Sequence, residues 1–440
     1  MQVCLSCCRQ NYPLSRSIVK TDAARFTRHG FGLYAMGNTI MNETEVTNHR
    51  AQPKRLRIGI NALGAISKDT GGQTYLANFI RTCVELQLPH EYFIFYSGPP
   101  EDIWGDLPNN FHKLIIPGTA RSGVSKVFGE QFLLPLWIIG RRLDVFYFPG
   151  NFVSFLLGKP MVVAIRSLLD DYFPQAVPRS RRYYRKVFRW LTTRRAARIL
   201  VPSALTAREV VRLLGVPSDK VTVVPHGVNH QVFANRPSTE AVTQQLQAMG
   251  VQRPYFLFVS ALWPYKGAEN FIAAVQQIRA RTGRQDITGV MAGKGIAADA
   301  FLKQLQKQIN DSGLQDAIHL VGNRPHNELA ALYWGAEALV FPSYCESFGN
   351  PLVEAMAAGT PIIASNRHAV PDTVGPAGII IDPDDGEQIV TAMHRLLTEP
   401  DLRAELIALG RQRSEQFKWP QSVQSALKVF EKAAALPAQG

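Results

Sequence analysis

From residue 56 onward, short apolar runs rich in strand-forming residues alternate with longer stretches of helical period. "LRIGINA", "YFIFYS", "KLIIPG", "DVFYFPG", "MVVAIRS", "RILVPS" and "VTVVPHG" come first. After a polar stretch, 229–252, that carries no strand signal, the rhythm restarts with "YFLFVSA", "TGVMAGKG", "IHLVG", "ALVFPS", "PIIASN" and "GIIID". Strands separated by helices pair in parallel. The expected fold class is therefore α/β: two facing Rossmann-like, doubly wound domains whose ligand-binding ends line a deep interdomain cleft. The boundaries read as an irregular tail at 1–54, a first domain at 55–232, a second at 233–417, and a last helix within 418–440. That helix, "QSVQSALKVFEKAAA", has no strand to serve and is expected to pack back toward the N-terminal domain. Thr206 and Glu209 read as a capping box for the helix after "RILVPS", which Gly215 and Pro217 stop.

Composition narrows the partners. The 440 residues suffice for two or three cores, and 46% hydrophobic content fits a folded chain. A formal net charge of +13 points to an anionic partner: a small molecule, a membrane surface or nucleic acid. No nucleic-acid motif accompanies it, so nucleic acid is not expected. The five cysteines form no disulfide framework, which suits a reducing cytoplasm. Cys4, Cys7 and Cys8 lack a matching second pair, so no zinc site is expected. The tail has no apolar signal-peptide core, and Met36 and Met41 are alternative starts. The most membrane-like stretch, 146–165, is broken by Pro149, Gly150, Asn151, Lys159 and Pro160, and reads as two buried strands joined by a loop. Neither half carries G-x-G-x-x-G at a strand end, and G-x-x-x-x-G-K-[ST], H-E-x-x-H and G-x-S-x-G are missing too.

One stretch carries chemistry. In "CESFGNPLVEAMAAGTP" (345–361), Glu346 and Glu354 stand eight positions apart, separated by Phe348, Gly349, Asn350 and Pro351. "ALVFPS" before it is a strand, Pro351 suits the first position of a helix, and Gly359 with Pro361 ends that helix. Glu346 is thus expected on the loop after a strand and Glu354 in the first helical turn. The helix N-terminus offers N–H groups to a phosphate, and a neighbouring carboxylate suits neutral hydroxyls such as those of a ribose. The blander alternative makes Glu354 a dipole-complementing residue and Glu346 a solvated charge.

From about residue 56 to 432 the chain resembles a GT-B glycosyltransferase of the large retaining family 4. The likeness rests on "ESFGNPLVEAMAAGTPIIAS", with its E-x7-E pattern, and on "YFLFVSALWPYKG" and "GGQTYLANFI" (71–80), with "RILVPSALTAREV" and "VPHGVN" similarly placed. The resemblance implies an N-terminal acceptor domain and a C-terminal domain that binds a nucleotide diphosphate sugar. It gives Glu354 to the ribose hydroxyls, Glu346 to the donor sugar near the reacting carbon, and Lys266 to the diphosphate leaving group. Phe348, Gly349 and Asn350 at the helix mouth would assist. Gly71 and Gly72 would let backbone approach the phosphates, and Asn323 and Arg324 would lie near the base. It implies no cofactor and no metal, since a lysine and helix-terminal N–H groups stabilise the growing leaving-group charge. The residues single out no nucleophile.

Two positions depart from the family pattern. Ala261 stands where an arginine is common, with Ser260 in place of a glycine, and Arg166-Ser167 replaces His-Asp; Arg166 is expected at the cleft edge. Lys266 and His226 each have a blander reading, a solvated lysine and a satisfied turn histidine. The run 179–198, "RSRRYYRKVFRWLTTRRAAR", carries nine basic residues and no acidic one. It reads either as a solvated helix face or as a contact with an anionic membrane surface or a lipid-linked acceptor, given Tyr184, Phe188, Trp190 and Leu191 within it. The expected activity is hexosyl transfer to a glycan or lipid-linked acceptor in surface polysaccharide biosynthesis, in the cytoplasm or peripheral on the inner membrane face. The rivals are a nucleotide-sugar 2-epimerase of the same fold and a non-catalytic nucleotide-sugar-binding protein.

Overall fold

In the computed structural model the apolar runs form two parallel sheets; the structure describes residues 55–63, 71–97, 104–117, 119, 127–173, 179–294 and 300–436. The first sheet is built from Arg57–Asn61 (β1), Glu91–Tyr96 (β2), Phe111–Ile115 (β3), Val145–Phe148 (β4), Met161–Ala164 (β5), Arg198–Val201 (β6) and Val221–Val223 (β7). Its order is β3-β2-β1-β4-β5-β6-β7. The second sheet comprises Tyr255–Val259 (β8), Thr288–Ala292 (β9), Ile318–Gly322 (β10), Ala338–Phe341 (β11), Ile362–Ser365 (β12) and Ile379–Ile381 (β13), in the order β10-β9-β8-β11-β12-β13. In each sheet the strand order reverses beside the first strand: β1 lies between β2 and β4, and β8 between β9 and β11. The connections leave opposite faces there, and a crevice opens beyond the carboxyl ends of those strands.

Strand residues alternate between two apolar layers. In β8, Phe256 and Phe258 pack into one core and Tyr255, Leu257 and Val259 into the other. The stretch 146–165 divides into β4 and β5 with a loop between them, and no helix among the described residues is long and apolar enough to cross a membrane. The polar stretch after β7 holds two helices, His230–Phe233 and Thr239–Ala248, whose Phe233, Val242 and Leu246 join the second domain's core. The capping box is corrected. The helix Ala204–Leu214 begins one turn earlier than the sequence suggests, so Ser203 is its cap and accepts from the Thr206 N–H. Glu209 instead pairs with Arg212 on the same helix.

The chain crosses between the two sheets twice. It leaves the first through Val224–Asn229 and returns through Phe417 and Lys418 into the helix Trp419–Ala434. The crossings touch: Val228 N donates to Phe417 O at 2.9 Å, and Ser422 Oγ to Pro225 O at 2.6 Å. The returning helix buries Trp419, Val423, Leu427 and Phe430 against the first domain's core.

Candidate active site

Lys266 and Glu346 come from the two strands that flank the second sheet's switch point. β8 ends at Val259, and a short turn, Pro264–Lys266, carries the lysine; β11 ends at Phe341, and the following loop carries the glutamate. Gly267 closes the lysine turn at φ +76°, and a Cβ there would lie 2.3 Å from Pro342 O, so only glycine lets the two loops meet. They do meet: Lys266 Nζ lies 2.5 Å from Glu346 Oε1, with side chains 14% and 13% exposed. A partly buried ion pair facing a crevice holds the ammonium in place before any ligand arrives. Burial, with Glu346 beside it, pushes the thiol of neighbouring Cys345 up to about 12, away from the thiolate form a nucleophile needs.

Past Glu346 the chain makes a left-handed turn at Gly349, φ +91°, and enters the helix Asn350–Ala358. Because that helix begins at Asn350, Glu354 is its fifth residue and lies in the second turn rather than the first. Its carboxylate is therefore held by something other than helix-end N–H groups: the hydroxyl of buried Tyr333 donates to Glu354 Oε2 at 2.9 Å. Burial raises the Glu354 carboxyl to about 7, against the lowering effect of the Tyr333 bond. Phe348 is a packed residue, 3% exposed, between the rings of His226 and Phe417. Its carbonyl accepts from Thr373 Oγ1 at 2.7 Å.

The other sequence-selected residues fall around this centre. Asn350 Oδ1 lies 3.0 Å from His226 Nδ1, across from the first domain. Burial and then Arg166 push His226 down to about 4, which favours the neutral imidazole. Arg166 faces the same place: its carbonyl accepts from Ser347 Oγ at 2.5 Å, and its guanidinium lies 5.2 Å from the Tyr75 ring centroid. Nearby, Asp171 is in an ion pair with the buried Arg189. Gly71 and Gly72 open the helix Gly71–Glu85 that follows β1, the switch strand of the first sheet. Asn323 is exposed just past β10, and Arg324 is engaged locally, with Val321 O at 2.7 Å and Glu328 at 3.1 Å.

Sequence reasoning missed Tyr333 and Ser347, and it gave Thr206 only a capping role, whereas the Thr206 hydroxyl also donates to Ser347 O across the domains at 3.2 Å. Tyr333 sits in an apolar helix with nothing to mark it as a ligand-holder. The sequence reading counted no Asp-x-Asp motif, yet Asp382 and Asp384 form such a pair just beyond β13. Both carboxylates bond Arg367, at 2.7 and 3.1 Å. Among the described residues no group of three or more His, Cys, Asp or Glu stands close enough to hold a metal ion.

Known proteins match both halves. The family described as Glycosyl transferases group 1 matches residues 244–413, and that described as Glycosyltransferase Family 4 matches residues 70–232. A D-inositol 3-phosphate glycosyltransferase of Thermobispora bispora is 30% identical over 247 residues, which are 54% of this chain and 56% of that protein. The chain thus spans about half the length of such curated relatives. The O-antigen chain mannosyltransferase B of Escherichia coli is 26% identical over 67% of this chain and 76% of its own length. Two solved structures share the fold. One is an Anabaena protein in complex with UDP and glucose, with a TM-score of 0.68 and 16% identity over 86% of this chain and 100% of that one. The other is a glycosyltransferase involved in lipopolysaccharide biosynthesis, with a TM-score of 0.66 and 16% identity over 87% and 100%. Two parallel sheets with a strand-order reversal in each give the chain the GT-B fold, and a glycosyltransferase family model matches each of its halves.

Proposed function

We propose that this chain is a retaining, metal-independent glycosyltransferase that moves a hexosyl group from a nucleotide diphosphate sugar to a glycan or lipid-linked acceptor of a surface polysaccharide. The observation that carries the reading is the Lys266–Glu346 pair at the switch point, beside the helix that bears Glu354. A leaving diphosphate gathers negative charge as the glycosidic bond breaks, and an ammonium already in position stabilises that charge without reorganising. Glu346, bonded to the lysine through one oxygen, keeps a second oxygen for the donor sugar. Glu354 accepts from the ribose hydroxyls while Tyr333 fixes its carboxylate. Arg166 adds a cation from the facing domain and compensates for Ala261. The helix Arg179–Arg195 lies on the anionic cytoplasmic face of a membrane, where lipid-linked acceptors reside. Relatives named for transfer to inositol phosphate and to O-antigen support the reaction class.

The test is incubation of the purified protein with a panel of labelled nucleotide diphosphate sugars, with and without lipid-linked glycan. Slow donor hydrolysis alone, and transfer with retained anomeric configuration when acceptor is present, are expected. Release of a free epimer would make the protein a 2-epimerase. Tight binding with no hydrolysis or transfer for any donor would make it a binding protein.

A further inference from the structure

Among the described residues, twelve large hydrophobic side chains are exposed, and eight of them fall on three neighbouring segments of the first domain. Four form a stripe. A π-helical turn, Gly129–Leu133, runs into the helix Leu134–Ile138. Pro135 has no N–H to give to the ordinary helical ladder, and the wider turn accommodates it, with Leu134 N donating to Gly129 O. The wider turn brings residues four apart into line: Phe128 and Phe132 have ring centroids 5.1 Å apart, and Leu136 and Ile139 continue the row. Their exposures are 52%, 51%, 62% and 71%, while Leu134 and Ile138 on the opposite side are buried.

The loop between β4 and β5 joins this stripe to the basic helix. Gln131 Nε2 donates to Val153 O at 3.0 Å, and Phe155 N donates to Gln131 Oε1 at 2.9 Å. On its other side Phe155 packs on Phe188 of the helix Arg179–Arg195, with centroids 5.2 Å apart. The loop itself exposes Leu156, and the basic helix exposes Tyr183, Val187 and Trp190 at helical spacing. Around them stand exposed Arg142, Arg182, Lys186 and Arg194, the last 4.9 Å above the Trp190 ring.

An apolar row flanked by cations and an exposed tryptophan is what a bilayer interface selects: acyl chains take the row, anionic headgroups the cations, and the indole the boundary. We propose that Phe128, Phe132, Leu136 and Ile139 are the inserting edge of a docking surface for an anionic lipid bilayer, with the helix Arg179–Arg195 as its electrostatic half. This rests on the membrane reading given above for that helix and adds a second, hydrophobic element to it. Charge alone would give binding that salt abolishes; the row gives a component that survives screening.

The experiment is co-sedimentation of the full chain with phosphatidylglycerol–phosphatidylcholine vesicles at low and at raised salt. Three proteins are compared: wild type, a stripe variant (Phe132→Ser, Leu136→Ser, Ile139→Ser) and a charge variant (Arg182→Ser, Lys186→Ser, Arg194→Ser). Donor binding by each variant serves as the control for folding. Wild type is expected to pellet at low salt and keep a substantial fraction bound at raised salt. The charge variant should lose most binding at low salt. The stripe variant should drop at least fivefold and become wholly salt-labile. A stripe variant that pellets like wild type at both salts, while the charge variant does not, overturns this inference and leaves the electrostatic reading standing. Wild type that never pellets overturns both. Wild type that ignores vesicles but forms a dimer, with the stripe variant monomeric, assigns the face to a second copy and overturns the inference.

Discussion

Tyr333→Phe removes one hydroxyl from a buried side chain and asks whether Glu354 is a titrating ribose ligand. The bond at stake is Tyr333 Oη to Glu354 Oε2, 2.9 Å. A hydrogen bond to a charged group contributes about 1.5–3 kcal/mol, and about 1.4 kcal/mol corresponds to one pKa unit. Burial already raises Glu354 from 4.5 to about 7, so losing the bond should move its midpoint a further ~1–2 units alkaline. Only the ionised carboxylate accepts from two ribose hydroxyls. Nucleoside diphosphate affinity should therefore rise with pH through about 7 in wild type. In the variant it should be roughly 5–70-fold weaker at neutral pH and recover largely by about pH 10. Calorimetric titration across that range reads the effect. Glu354→Gln is the control, because its profile keeps only the nucleotide's own titration. Stability gives a second reading with the opposite sign. A carboxyl whose folded value is raised favours the fold while protonated and loses that advantage as pH rises from 4.5 toward about 7. Glu354→Gln should thus be more stable than wild type at pH 8, by up to about 3 kcal/mol, and not at pH 4. A wild-type affinity that follows the Glu354→Gln profile at every pH, or a Tyr333→Phe deficit of equal size at every pH, would refute the reasoning.

Three further outcomes are expected. Glu346→Ala should lower kcat by more than tenfold while changing nucleotide affinity little, because Glu346 faces the sugar; equal losses in both, read by steady-state kinetics and calorimetry, would place it on the nucleotide. In a double-mutant cycle of Ala261→Arg and Arg166→His, arginine at 261 should rescue kcat/KM lost at 166; simple additivity would give Arg166 another task. Asp171→Ala removes a carboxylate 2.7 Å from the buried Arg189 guanidinium and should destabilise the fold by about 3 kcal/mol in urea, whereas Arg182→Ala should change little.

Much of this architecture was legible because each strand is apolar throughout, each helix is patterned, and glycine or proline closes most runs. Lys266 and Glu346 were legible because the segments around them obey local rules: a strand, a glycine-terminated turn, a proline-started helix. What escaped depends on distance in sequence. Tyr333 and Glu354 are 21 residues apart and meet only because two helices of the second domain pack together. Ser347 and Arg166 meet across 181 residues. The first-turn placement of Glu354 failed by one residue: the helix starts at Asn350, directly after left-handed Gly349, and not at Pro351, which carries Glu354 from the fourth position to the fifth. The apolar stripe escaped because a π-helical turn changes the period that a sequence reading scans for.

The paired crossings near Val228 and Lys418 give the molecule something like a door hung on two pins. A single connection would leave one lobe free to swivel in any direction about the other. Two strands lying side by side, bonded from Val228 to Phe417 and from Ser422 to Pro225, leave rotation about the line between them as the soft direction. Gly227 sits in the gap, where an added Cβ would lie 2.4 Å from the Trp419 nitrogen, so the pins have no slack for even a methyl group. A protease nick at one crossing would leave the lobes tethered by the other. The swing itself would carry Thr206 and Arg166 away from Ser347, so the latch bonds between the lobes should break and re-form in one concerted movement.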